Sequence, residues 1–280
     1  MNIQRALQKA NLFLREKNIK TPDLDTQILM SKVLKKKKEF IILNLDIEIT
    51  DKNLEYFNQL VDQRAKGKPI AYLTEKKSFW KYEFTINKEV LIPRPDTEII
   101  VEQVLALTKN KEKMNLLDVG IGSGCILLSI LKDKKSFLGT GIDINNKSLT
   151  ICRINGHNLD VNNRLKLFKS DIDNFNNGKY DLIISNPPYI KKAKLKYLDK
   201  DVIGFEPRQA LDGGIEGLSE IRKVINKSSE LIKKQGFLVL EMGFDQRRQV
   251  KKILENNGFY IKKIVKDLSN NDRCIISIKI

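Results

Sequence analysis

The stretch Leu116-Leu117-Asp118-Val119-Gly120-Ile121-Gly122-Ser123-Gly124 decides how this chain folds. Four residues suited to a buried strand run into three alternating glycines, and the apolar periodicity of a helix follows as far as Leu131. Glycine allows positive φ and a close approach of backbone to ligand, so the segment reads as a strand, a tight turn and a helix with a binding loop at the junction. Downstream, strands are predicted at Phe137–Asp143, Leu165–Ser170, Leu182–Ser185, Phe237–Glu241, Tyr260–Lys266 and Arg273–Lys279. Helices are predicted at Gly124–Leu131, Lys147–Asn155, Leu218–Lys233 and Gln246–Asn256. The alternation predicts an α/β fold, a mostly parallel Rossmann-like sheet wound by right-handed crossovers. Only a short turn separates the last two strands, so one of them is expected to be antiparallel.

Upstream the pattern changes. Residues 1–75 read as helices: Ile3, Leu7, Ala10 and Leu14 share one face, and Thr21-Pro22 marks an N-cap before Leu24, Ile28, Leu29 and Val33. A further helix from Thr50-Asp51 carries Leu54, Phe57, Leu60 and Val61, and stops at Gly67. The basic run Lys35–Lys38 reads as a solvated loop. Alternation over Phe79, Trp80, Tyr82, Phe84 and Ile86 predicts a β-hairpin. The expected organisation is a helical domain over 1–75, a hairpin linker over 76–95 and the α/β domain over 96–280.

Composition narrows the chemistry. The 280 residues carry a net charge of +16, but 40 of the 51 basic residues are lysine, which weakens the case for bidentate phosphate or base recognition. Three scattered cysteines and a single histidine, His157, provide neither zinc-ligand spacing nor a disulfide framework, so no metal site is expected. His157 reads as structural or surface. The first helix is amphipathic rather than a signal sequence and no apolar run is long enough to span a membrane, so a cytosolic protein is expected.

The glycine spacing is G-x-G-x-G, not the G-x-G-x-x-G of dinucleotide folds, and an acid, Asp118, precedes it. A carboxylate there disfavours pyrophosphate and suits a cationic ligand such as S-adenosylmethionine. Asp143 follows Gly120 by 23 residues at the end of the second strand, where it can accept hydrogen bonds from ribose hydroxyls. Gly120, Ile121, Gly122, Ser123 and Gly124 would hold that donor. The acceptor side is Asn186-Pro187-Pro188-Tyr189, after the fourth strand. Two prolines fix φ and remove donors, so the Asn186 side-chain oxygen and the Pro187 carbonyl can accept both hydrogens of a planar NH2 group. Tyr189 would offer a flat face to its π-system.

Asn-Pro-Pro-Tyr downstream of Gly-x-Gly-x-Gly resembles the class I S-adenosylmethionine-dependent methyltransferases. The release factor glutamine methyltransferases are the most similar of these. Their marks include Gly67-x-Pro69-Ile70-Ala71-Tyr72, Ile92-Pro93-Arg94-Pro95-Asp96-Thr97-Glu98, Glu206-Pro207, Ala210-Leu211-Asp212-Gly213-Gly214 and Leu240-Glu241-x-Gly243. The resemblance implies N5-methylation of the glutamine in the Gly-Gly-Gln motif of class 1 peptide chain release factors. It further implies a monomer with a helical substrate-recognition domain and no obligate nucleic-acid or membrane partner. Asn186 and Pro187 would hold the glutamine, Asp171 and Ile172 would lie near the adenine, and Arg94 would either touch substrate or pin the linker. Glu75 stands where the family has glycine, and Asn270-Asn271 replace Gly-Arg. The alternative is a nucleic-acid base methyltransferase acting on adenine N6 or guanine N2, which would need a base-flipping reader. Against it, residues 1–75 carry 14 basic and 10 acidic residues and no aromatic-studded basic face.

Overall fold

The computed structural model describes all residues, Met1–Ile280. In chain order its elements are α1 (Ile3–Glu16), α2 (Pro22–Leu34), α3 (Lys38–Leu43), α4 (Asp51–Ala65), α5 (Ile70–Thr74), β1 (Lys76–Phe79), β2 (Tyr82–Thr85), α6 (Glu98–Leu107), β3 (Asn115–Val119), α7 (Cys125–Asp133), β4 (Leu138–Asp143), α8 (Asn146–Asn158), β5 (Leu165–Lys169), β6 (Tyr180–Ser185), α9 (Lys200–Phe205), α10 (Ser219–Leu231), β7 (Ile232–Glu241), α11 (Arg247–Asn256), β8 (Phe259–Lys266) and β9 (Asp272–Lys279). They group into two compact units, one of Met1–Lys76 with Asp199–Phe205, the other of Lys77–Leu198 with Glu206–Ile280. The hairpin residues from Lys77 onward therefore group with the α/β unit, and a short helix from the middle of the α/β sequence groups with the helical one.

The helical unit is built around Ile3, Leu14, Leu29, Met30, Ile41 and Phe57, all fully buried. Asn2 caps α1 by accepting from Arg5 N (3.0 Å), and Thr50 caps α4. Thr21 stands at the predicted N-terminus of α2, but its hydroxyl donates to Asp25 Oδ1 (3.0 Å) instead of accepting from the helix backbone. Leu24 falls on the exposed face of α2, where helical spacing alone had placed it with the core. The basic run 35–38 is split: Lys35 ends α2 in the left-handed conformation and Lys38 opens α3. Arg64 is buried, with Nε donating to Asp25 Oδ2 (2.7 Å) and Nη1 donating to Asp201 Oδ2 (3.0 Å) from α9. Desolvation is the largest influence on this guanidinium, yet its two carboxylate partners hold it charged.

The α/β unit has a seven-stranded sheet of order β5-β4-β3-β6-β7-β9-β8. Only β9 runs antiparallel, paired on both sides. A short β8–β9 turn leaves no length for a crossover helix, so β9 returns between β7 and β8. The registers Val119↔Ile142 and Val119↔Ser185 bring the carboxyl ends of β4, β3 and β6 level. In an open parallel sheet this is the edge where ligands bind. β7 starts earlier than its apolar run suggested. Gln235, at φ 63, lets residues 232–236 join the strand across a register shift.

The hairpin is fastened to this unit by specific partners. Trp80 takes the left-handed turn position (φ 55), and its backbone N–H donates to Glu98 Oε1 (2.8 Å). Its indole N–H and the Tyr82 hydroxyl both donate to Asp133. Asn155 accepts from Thr85 N (2.7 Å) and donates to Thr85 O and Ser123 O (2.9 Å each), joining hairpin, α8 and glycine loop.

Candidate active site

A cavity of about 440 Å³ opens at the carboxyl edge of the sheet. Its floor is the loop after β3. Gly120 and Ile121 both donate backbone N–H groups to Ile142 O (3.0 Å each), tying the loop to β4. Gly120 has φ 74, and a β-carbon there would meet nothing within 4 Å, so the loop presents bare backbone to the cavity. Gly124, at φ 81, serves packing instead: a β-carbon would lie 2.7 Å from both Leu128 Cδ1 and Cys152 Sγ. Gly120, Ile121, Gly122 and Ser123 line the cavity, whereas Gly124 does not.

Asp143 closes one side. Its Oδ2 accepts from Gly122 N (3.0 Å) and its Oδ1 from Asn145 N (2.8 Å). Burial raises its pKa, and those backbone donors oppose the shift. Asp171 and Ile172 also line the cavity. Asp118 does not. Strand alternation sends Val119 to the cavity and turns Asp118 to the opposite face, where it is 2% exposed and hydrogen-bonded to the backbone of Leu127. Burial pushes its carboxyl up to about 7. Its expected place beside a cationic ligand is taken by the acids that do line the cavity, Glu89, Asp143, Asp171, Asp212 and Glu220, against only Arg94 and Lys223. An acid-rich cavity in a chain of net charge +16 suits a cationic occupant.

The opposite wall is Asn186-Pro187-Pro188. Ser185 Oγ donates to Val119 O (2.8 Å), locking the end of β6 to the glycine loop. Asn186 Nδ2 donates to Thr97 Oγ1 (3.2 Å), which leaves Oδ1 as the amide's acceptor. Tyr189 does not line the cavity. Its hydroxyl donates to Glu241 Oε1 (3.1 Å) and accepts from Arg273 Nη1 (3.3 Å), so the ring is drawn beneath the site and packs on the sheet core. Gln246 holds this segment from behind, with Nε2 donating to Tyr189 O (3.1 Å) and Gly217 O (2.9 Å). Arg94 lines the cavity and also pairs with Glu206, whose Oε2 accepts from Ile92 N (3.1 Å).

The sequence of the helical region matches the family model described as the PrmC N-terminal domain over residues 5–74, and residues 96–262 match that of the methyltransferase small domain. The release factor glutamine methyltransferase of Clostridium acetobutylicum is 38% identical over 100% of this chain and 99% of its own length. The chain belongs to that family. The Caulobacter vibrioides member is 32% identical over 100% of this chain and 97% of its own. Among solved structures, a ribosomal protein L11 methylase from Lactobacillus delbrueckii subsp. bulgaricus (TM-score 0.52, 16% identity, 70% of this chain and 84% of that one) has the same sheet fold. So does a methyltransferase from Pyrococcus furiosus (TM-score 0.52, 16% identity, 78% and 96%). Like other members, this release factor glutamine methyltransferase uses S-adenosylmethionine, and the bare glycine loop and acid-rich lining fit that group.

Glu75 and Asn270, the two positions where glycine was expected from the resemblance, have φ 62 and 64. Asn tolerates this conformation readily, while Glu75 takes it with Lys32 Nζ donating to its Oε2 (3.1 Å). Two residues at the site carried no assigned role in the sequence, Thr97 and Glu241. The second is detectable in retrospect as the one charged residue in Phe237–Met242.

Proposed function

We propose that this chain methylates the side-chain amide nitrogen of the Gly-Gly-Gln glutamine of class 1 release factors. The observation that carries the site assignment is the Asn186 amide, tethered through Nδ2 to Thr97 at the rim of the donor cavity. Asn186 Oδ1 and the Pro187 carbonyl accept the two amide hydrogens and turn the nitrogen lone pair toward the donor cavity. S-adenosylmethionine, when bound, would supply the electrophilic methyl group, its S–CH3 bond breaking to leave the neutral thioether as the leaving group. A primary amide is a poor nucleophile because its lone pair is delocalised. Acceptors on both hydrogens favour the more positive nitrogen of the transition state over the ground state. Forming the N–C bond leaves the nitrogen with a proton to lose, and solvent at the open cavity takes it.

Gly120–Ser123, Asp143, Asp171 and Ile172 hold the donor in this reading, and Pro188 and Arg94 border the substrate. Tyr189 acts from beneath, not as a stacking face. Residues 1–75 recognise the release factor, the hairpin over 76–95 joins them to the catalytic domain, and the enzyme works in the cytoplasm as a monomer. No helix is long and apolar enough to cross a membrane.

Incubation with labelled methyl donor and, in parallel, release factor, DNA and ribosomal RNA tests the reading. Label is expected on the release factor glutamine, and label on nucleic acid alone would overturn it. Asn186→Ala should abolish transfer and spare donor affinity, whereas retained turnover removes Asn186 from the acceptor role.

A further inference from the structure

We infer that Thr97 and Glu241 are positioning residues that fix which way round the Asn186 amide stands, so that its oxygen and not its NH2 meets the substrate. The inference rests on Asn186 acting as the amide acceptor.

The register Ser185↔Leu240 places the next residues of β6 and β7, Asn186 and Glu241, side by side at the sheet edge. Thr97, buried in the short 3-10 turn Pro95–Thr97, lies against both side chains. A hydroxyl has one proton. The negative charge of the neighbouring Glu241 carboxylate draws the Thr97 proton to its side, and Oγ1 is left to accept from Asn186 Nδ2 (3.2 Å). Turning the amide over would set Oδ1 against the lone pairs of Oγ1.

The donor direction is set from the other side too. Arg273 donates to the Tyr189 hydroxyl, which donates to Glu241 Oε1. Asp267 anchors Arg273 at 2.9 Å. The run from Arg273 through Tyr189 ends on Glu241, which is fully buried and whose Oε2 accepts no hydrogen bond of ordinary geometry, leaving its charge to draw the Thr97 proton. A buried acid in an apolar strand, with one oxygen bonded to Tyr189 and the other left without a hydrogen bond, is costly for packing alone. Specifying the orientation of a neighbouring amide accounts for it.

The device works while Glu241 is ionised, because a protonated carboxyl donates back toward Thr97 or Tyr189. Burial pushes this carboxyl up to about 7, opposed by the Thr97 hydroxyl, Arg273 and Tyr189, and reinforced by Asp96. The thiols of Cys125 and Cys274 also face it, and burial keeps them neutral. The ionised form grows as pH rises through about 7, and the fixed amide with it.

Steady-state methylation of release factor by Thr97→Val, Thr97→Ser and Glu241→Gln, each with donor affinity measured by calorimetry, decides the matter. Thr97→Val should lower kcat roughly 10- to 100-fold, as loss of a buried hydrogen bond does, with donor Kd changed less than about twofold. Thr97→Ser should recover turnover to within roughly threefold. The wild type should lose kcat as pH falls from about 8 to about 6, and Glu241→Gln should flatten that limb. A Thr97→Val enzyme with full kcat beside an inactive Asn186→Ala enzyme would overturn this inference alone. An active Asn186→Ala enzyme would overturn the acceptor reading beneath it. If Thr97→Val fails to fold, the limb decides, and its survival in Glu241→Gln refutes the relay.

Discussion

Gly213→Ala tests whether the Asn-Pro-Pro-Tyr segment is held in place by backbone packing from a loop distant in sequence. An added β-carbon would lie 2.8 Å from Tyr189 Cα, 2.8 Å from Gly217 O and 2.9 Å from Gly217 Cα. All three neighbours are backbone atoms, so no rotamer change relieves the overlap. Reaching an ordinary separation of about 3.5 Å requires the two segments to part by roughly 0.6–0.7 Å. They resist, because Gly213 N donates to Ile190 O (2.9 Å), Ile190 N to Leu211 O (3.1 Å) and Lys192 N to Gly214 O (2.9 Å). Gln246 clamps Tyr189 O and Gly217 O from the other side. Overpacking of this kind costs about 1–3 kcal/mol, or roughly 2–10 °C in Tm for a unit of this size. Because Asn186 lies three residues from Tyr189, part of the displacement reaches the acceptor. A misplacement approaching 1 Å costs about 100-fold in rate, so kcat should fall roughly 10- to 100-fold. Donor affinity should change less than kcat, since the glycine loop is bound to β4 and Asp212, beside the substitution, is only one of the five acids lining the cavity. The assay is methyl transfer to release factor at saturating donor, with calorimetry and thermal melts on the same preparation. Unchanged kcat and Tm would refute the argument, showing that the loop yields without disturbing the segment it clamps.

Three further outcomes are expected. Asp143→Ala should weaken donor binding by roughly 10- to 100-fold, since it removes a carboxylate from the cavity and the acceptor for Gly122 N and Asn145 N; unchanged affinity would exclude Asp143 from the donor site. Glu75→Gly should stabilise the protein by about 0.5–1 kcal/mol, because relief of the left-handed conformation outweighs a solvent-exposed pair with Lys32; a lower Tm would contradict this. Methylation should slow with added salt through KM if the lysines over 191–200 steer the release factor. Lys191 and Lys194 already share Asp245, at 3.2 and 3.5 Å, so the dependence should be shallow and should vanish on neutralising Lys192, Lys196 and Lys200.

The segments most legible in the sequence were those governed by local rules. β3 and the turn after it follow from an apolar run meeting three glycines, and the single antiparallel strand near the end follows from the short turn before it. Boundaries moved where a local conformation overrode the pattern, as at Gln235, which extends β7, and at Lys38, which opens α3 inside the expected loop. The cavity lining was legible where the backbone sets it, in the glycine loop and in Asn186-Pro187-Pro188. It was misjudged where a side chain had two directions to choose from.

Asp118 and Tyr189 show the difference. Nothing in a sequence says which face of β3 looks onto a cavity, and the pleat turned Asp118 away from it beneath α7. Tyr189 carries both a ring and a hydroxyl, and Glu241 and Arg273, from the distant strands β7 and β9, pulled the hydroxyl downward. The sequence by itself determined the fold class and the family, and it placed the glycine loop and Asn186 on the elements that line the cavity. Only the tertiary structure decided which carboxylates line the cavity and which hydroxyl the Asn186 amide is bonded to. These depend on residues dozens to more than a hundred positions apart, and only the folded sheet brings them within hydrogen-bonding distance.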